Sequence, residues 1–86
     1  MTPHSFIKRL TEGKVNNLTY SISGKDGLVS VWLHENYCIL TWEECLAGHQ
    51  YDESTYTRDD RHVFSSVEAL LEFMANHHLK AESFTG

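Results

Sequence analysis

Along Asn17 to Glu44, apolar and polar residues alternate with a period of two in three runs, NLTYSIS, LVSVWLH and YCILTWEE. The runs are separated by an Asp26-Gly27 pair and a Glu35-Asn36 pair, residue types suited to the positive φ angles of two-residue hairpin turns. Three antiparallel strands follow. With those turns, Ile22 lies opposite Val31 and Tyr20 opposite Leu33. Across the second hairpin, Leu33 lies opposite Cys38, Val31 opposite Leu40 and Val29 opposite Trp42. Because a one-residue slip sends every side chain to the other face, these turns can be checked against the pattern. One face carries Leu18, Tyr20, Ile22, Val29, Val31, Leu33, Cys38, Leu40 and Trp42, without a charge. The other carries Thr19, Ser21, Ser30, Trp32, His34, Tyr37, Ile39 and Thr41.

Helical spacing brackets this sheet. Thr2 is placed to cap a short helix with Pro3 at its first position, Phe6, Ile7 and Leu10 sharing one face and Gly13 stopping it. Near the C-terminus, Val67, Leu70, Leu71 and Met74 recur at i, i+3 and i+4. Ser65 and Glu68 form a capping-box pattern before them, and His77, His78 and Lys80 sit at the cation-favouring end. Between sheet and helix the signal is weaker. Residues 43–50 read as a loop, Tyr51 to Arg58 as an edge strand, Asp59-Asp60 as a turn, and Arg61 to Phe64 as a further short extended piece. AESFTG reads as a frayed tail whose Phe84 folds back on the body. The expectation is one α+β domain over residues 1–86: an antiparallel meander of three to five strands with a short N-terminal and an amphipathic C-terminal helix, in the order α-β-β-β-(β-β)-α.

Composition narrows the classes. The 86 residues are 41% hydrophobic, ordinary for a globular chain. No apolar run approaches a membrane span, and MTPHSFIKRL lacks the apolar stretch and cleavage site of a signal peptide, so a cytoplasmic protein without membrane contact is expected. Asn17-Leu18-Thr19 matches a glycosylation sequon, which carries little without export. Cys38 and Cys45 are expected as thiols in a reducing compartment. Their spacing is not that of a zinc site, and the adjacent His77 and His78 point about 100° apart on a helix, so no metal or other cofactor is expected.

Catalytic signatures are missing. There is no G-x-S-x-G elbow, no H-E-x-x-H despite His34-Glu35, and no phosphate-binding glycine loop. The chain is therefore expected not to be an enzyme; a site centred on His34, His49 or His62 would need turnover or bound metal to support it.

Charge is the informative feature. The chain carries a net −5, and residues 43–60 hold six acids, Glu43, Glu44, Asp52, Glu53, Asp59 and Asp60, against the single base Arg58. Such a patch either steers a basic partner or simply keeps an edge solvated. Trp32, Tyr37 and Ile39 on the second sheet face are either an interface centre or covered by the N-terminal helix. Lys8, Arg9, Lys14 and Lys25 against Glu12 are too few for direct nucleic-acid binding. The expected function is a small acidic inhibitor that occludes a basic, nucleic-acid-binding surface of a partner protein, a nuclease among the candidates. Size and charge are analogous to those of immunity proteins and of phage-encoded blockers of defence nucleases such as anti-CRISPR proteins, which work by nucleic-acid mimicry. The expected contacts are Glu43, Glu44, Asp52, Glu53, Tyr56, Asp59, Asp60, Trp32 and Tyr37. The alternative is a self-associating structural or regulatory domain, a homodimer through Trp32, Tyr37 and Ile39.

Overall fold

A computed structural model describes all 86 residues. Helix α1 (Pro3–Thr11) precedes strands β1 (Asn16–Ile22), β2 (Lys25–His34), β3 (Tyr37–Leu46) and β4 (Arg58–Phe64), and helix α2 (Val67–Asn76) follows. The strands form one antiparallel sheet in the order β1-β2-β3-β4. The class is α+β, a four-stranded meander flanked by the two helices.

The second hairpin is as the pattern requires: Glu35 and Asn36 both take positive φ, and Val31 pairs with Leu40, Leu33 with Cys38 and Val29 with Trp42. The first turn differs from the expectation. It is made by Ser23 and Gly24 at φ 54° and 76°, while Asp26 and Gly27 lie inside β2. Leu18 therefore pairs with Val29 and Tyr20 with Gly27, not Leu33. This displacement from the expected register is an even number of residues, so no side chain changes face. Asp26-Gly27 resembles a turn locally, but Gly27 serves a packing need instead. A Cβ there would fall 2.0 Å from Cζ of Tyr20, whose ring lies across it.

The expected loop at 43–50 begins only after Leu46, because Glu43 to Leu46 continue β3 against Lys25 to Leu28. Tyr51 to Thr57 are not an edge strand but a loop containing a short 3-10 turn, Glu53–Thr55, which Asp52 caps by accepting from the Ser54 N–H; of the expected strand only Arg58 lies in one, as the first residue of β4. Asp59-Asp60 is no turn but the interior of β4, which absorbs the separate piece expected from Arg61. Alternation over RDDRHVF is real, yet with apolar side chains only at its end it is hard to read as a strand.

Both helices pack on the same face of the sheet. Phe6 and Leu10 from α1, Leu70 and Met74 from α2, and Leu18, Val29, Val31, Cys38, Leu40 and Trp42 from the strands form one buried cluster. Thr2 caps α1 as expected, and at its end Gly13, at φ 78°, lets Lys14 N–H reach back to the Arg9 carbonyl. The cap of α2 is Ser66, whose hydroxyl accepts from Ala69 N–H; the Ser65–Glu68 box does not form. Helix α2 stops through His78 at φ 58°, with Leu79 N–H donating to the Met74 carbonyl. Asn16, fully buried, ties α1 to the sheet: its amide donates to the Phe6 carbonyl and its Oδ1 accepts from Arg9 Nε. The C-terminal tail is docked rather than frayed. Phe84 is completely buried against Phe6, and Thr85 exchanges two backbone hydrogen bonds with Asn17.

Gly27→Ala should destabilise the fold by about 1–3 kcal/mol in urea unfolding, because the methyl enters space held by the Tyr20 ring. In a Tyr20→Ala background the added cost should largely vanish, and equal costs in both backgrounds would show that the ring is not the cause.

Candidate functional site: the open face of the sheet

Neither helix covers the second face, so of the two readings of Trp32, Tyr37 and Ile39 the structure removes cover by α1. The register sets out this face in rows. Trp32, Ile39 and Val63 lie side by side on β2, β3 and β4, with Tyr37 beyond them. Ser30, Thr41 and Arg61 form the next row, then Leu28, Glu43 and Asp59, then Asp26 and Cys45. Ile39 is sealed to 4% exposure by its neighbours alone, whereas Tyr37 and Val63 are 51% and 56% exposed and Trp32 is half-buried. An apolar band and an acidic end therefore share one surface, separated by the single row of Ser30, Thr41 and Arg61.

The six clustered acids separate into three environments. Glu43 and Asp59 are direct cross-strand partners on the open face, and neither makes an ion pair or a side-chain hydrogen bond. Like charges directly opposite each other weaken strand pairing. Asp52 and Glu53 lie outside the sheet on the 47–57 loop, where the hydrogen bonds from Ser54 to Asp52 hold that carboxyl below its usual range. Glu44 and Asp60 point to the helix side, where internal partners already engage them.

These last two belong to a network that closes the lower end of the core. Tyr20 donates its hydroxyl hydrogen to Glu44 and accepts from Trp42 Nε1 at 3.0 Å. Thr57 donates to Glu44 at 2.7 Å, and Lys25 lies 3.8 Å from the same carboxylate. Arg58 stacks over the Trp42 ring at 3.8 Å while its Nε donates to Asp60. The hydrogen bonds from Tyr20 and then Thr57, with Lys25 and Arg58 nearby, draw the Glu44 carboxyl below its ordinary range.

The 47–57 loop folds against the acidic end and closes a cleft of about 690 Å³ on the open face, with Tyr51, Tyr56, Leu28 and Glu43 in its walls. Asp26 holds the loop by accepting from Gly48 N–H and Gln50 Nε2, and Tyr56 hydroxyl donates to the Gln50 carbonyl. Partial burial, then the charges of Glu43, Cys45, Asp59 and Glu53, push the Tyr56 phenol up. Tyr51 stands fully in solvent at the cleft mouth. Tyr51, Leu28 and Val63 were not singled out in the sequence; Val63 was legible from alternation, but the other two depend on how the loop returns to the sheet. Cys38 and Cys45 are both free and buried, and seven residues apart on one strand they face opposite sides of the sheet.

No helix is long and apolar enough to cross a membrane, and no family model, curated protein or solved structure matches the chain.

Because the Glu44 pKa is depressed in the folded state, its stabilisation is fully present above about pH 4.3, the ordinary glutamate value, and fades as pH falls through its lower folded value. Glu44→Gln should therefore lower stability near neutrality and flatten its dependence on pH below about 4.3, as followed by urea midpoints across pH. An unchanged acid limb would detach Glu44 from that dependence.

Proposed function

We propose that this protein is a non-catalytic binding domain whose open sheet face docks on a basic, nucleic-acid-binding surface of a partner protein, a nuclease being the kind of partner that best fits, and inhibits it by occupying the phosphate-binding surface. The observation that carries this reading is the Glu43–Asp59 pair. Two carboxylates without an ion pair of their own face each other across adjacent strands, one row of Ser30, Thr41 and Arg61 away from an apolar band of Trp32, Tyr37, Ile39 and Val63 that no helix covers. Such a pair costs the fold stability, and a cationic group from outside would relieve it. Aromatics with a charged rim match the composition of interface centres. Of the contacts expected from sequence, the proposal keeps Glu43, Asp59, Tyr56, Trp32 and Tyr37 at its centre and leaves Asp52 and Glu53 at the rim.

The test is partner capture from the native host, with duplex DNA as competitor. Glu43→Gln with Asp59→Asn should slow association about tenfold at low salt and flatten its salt dependence, while Asp52→Asn with Glu53→Gln changes it less. Trp32→Ala should hasten dissociation. A partner retained equally by the Glu43/Asp59 variant and in excess DNA overturns the reading.

The same exposed band supports a second reading, a homodimer formed face to face through Trp32, Tyr37 and Ile39. Sedimentation should then show a concentration-dependent dimer that Trp32→Ala abolishes; a monomer at high micromolar concentration removes it.

A further inference from the structure

The two edges of the sheet are built differently. Strand β4 carries Arg58, Asp59, Asp60 and Arg61, charges that discourage further pairing. Strand β1, NNLTYSI, has no charge and no proline. Its outer side is closed at one point only, where Asn17 and Thr85 exchange N–H to carbonyl hydrogen bonds of 2.8 and 2.7 Å in an antiparallel bridge.

That bridge settles which groups point outward. If Asn17 directs its N–H and carbonyl away from β2, the alternation of an antiparallel ladder directs those of Thr19 and Ser21 the same way. No backbone hydrogen bond reaches either from outside. Ser83 would be the next rung opposite Thr19, but it lies in a 3-10 turn, Ala81–Ser83, that carries the tail away from the edge.

Clefts flank this bare stretch on both sides. On the open face lies the 690 Å³ cleft that Thr19 and Ser21 border together with Glu43, Tyr51 and Tyr56. On the helix side is a groove of about 530 Å³ lined by Leu18, Ile22, Trp42, His78 and Leu79. Ile22 remains 63% exposed beside it.

We infer that the β1 edge accepts an extended segment of a partner protein as an antiparallel fifth strand opposite Thr19 and Ser21. The guest's side chains alternate, basic ones entering the Glu43–Tyr51–Tyr56 cleft and apolar ones entering the Leu18–Leu79 groove. Backbone groups on the edge specify another backbone, and the period of two sends successive side chains to the two clefts. Glu43 lies two strands in from this edge, about 14 Å from a guest backbone at three strand spacings, so its charge acts as a negative field across the cleft, and with the tyrosine rings at the cleft it favours lysine or arginine there. A second copy of β1 has no basic residue to offer there, and its own Asn17 is already bonded to Thr85. The inference rests on the proposed function only for the charge of the guest; the rungs follow from β1 itself.

The probe is the peptide acetyl-Lys-Val-Lys-Val-Lys-Val-amide, titrated into the intact protein and followed by amide NMR. Binding should slow exchange of the Thr19 and Ser21 amides at least tenfold at saturation. Residues directly opposite each other in an antiparallel pair share a face, so the lysines on the Thr19 side are also those whose N–H groups meet β1. N-methylation of the lysines should abolish binding, and N-methylation of the valines should leave most of it. Glu43→Gln with Asp59→Asn should weaken binding while preserving that contrast, so loss of the charge effect alone strikes only the choice of a basic guest. Equal effects of the two methylations, protection confined to the Asp52–Glu53 loop, or protection that rises with protein concentration without peptide overturns the strand-addition proposal.

Discussion

Two helices of nine and ten residues must seal a sheet of four strands, and they can cover only one of its faces. The period-two pattern decides which. Leu18, Val29, Val31, Cys38, Leu40 and Trp42 all point to one side, and Phe6, Leu10, Leu70 and Met74 bury themselves there because burial of apolar area is the dominant favourable term. With the helices committed to that side, Trp32, Tyr37, Ile39 and Val63 are left to cover one another. The open surface on which the functional reading stands is thus a consequence of how little helix the chain has to spend.

The charged residues follow the same division. Extending β3 through Glu43 and Glu44 sends neighbouring carboxylates to opposite faces, into opposite fates. On the helix side Glu44 receives Tyr20, Thr57 and Lys25, and Asp60 receives Arg58. These contacts stitch the lower end of the core, where Gly27 leaves room for the Tyr20 ring. On the open side Glu43 and Asp59 meet with no cation between them. One acidic run in the sequence therefore becomes a structural network on one side of the sheet and an unpaired surface on the other.

The ends of the chain have a comparable role. Met1 N-terminal amine donates to the carbonyls of Glu82 and Phe84, and Phe84 packs edge-on against Phe6. The tail thereby completes the core beneath α1 and also occupies the first rung of β1 at Asn17. Beyond that rung the edge is bare and uncharged, in contrast to the guarded β4. An uncharged edge with free backbone groups is a template for pairing with another chain.

The residues alone determined the two faces of the central strands, the Glu35-Asn36 turn, the existence of both helices and the sheet face on which Trp32 and Tyr37 lie, because strict alternation and capping chemistry are local signals; that this face stays uncovered was decided by where the helices pack. They also located the acidic segment, though not its division. What only the tertiary structure decided was long-range. Asp26-Gly27 satisfies the local rules of a turn, but the turn falls at Ser23-Gly24, because there Gly27 can lie under Tyr20 while every apolar residue keeps its face. Residues 51–64, with few apolar side chains to mark a period, acquire their loop and strand only by pairing with β3. The seating of α1 on the α2 side is fixed by Phe84 packing on Phe6 and by Asn16 bonding to the Phe6 carbonyl and to Arg9, so although the return of Phe84 to the body was legible, its place beneath α1 was not encoded by any local pattern.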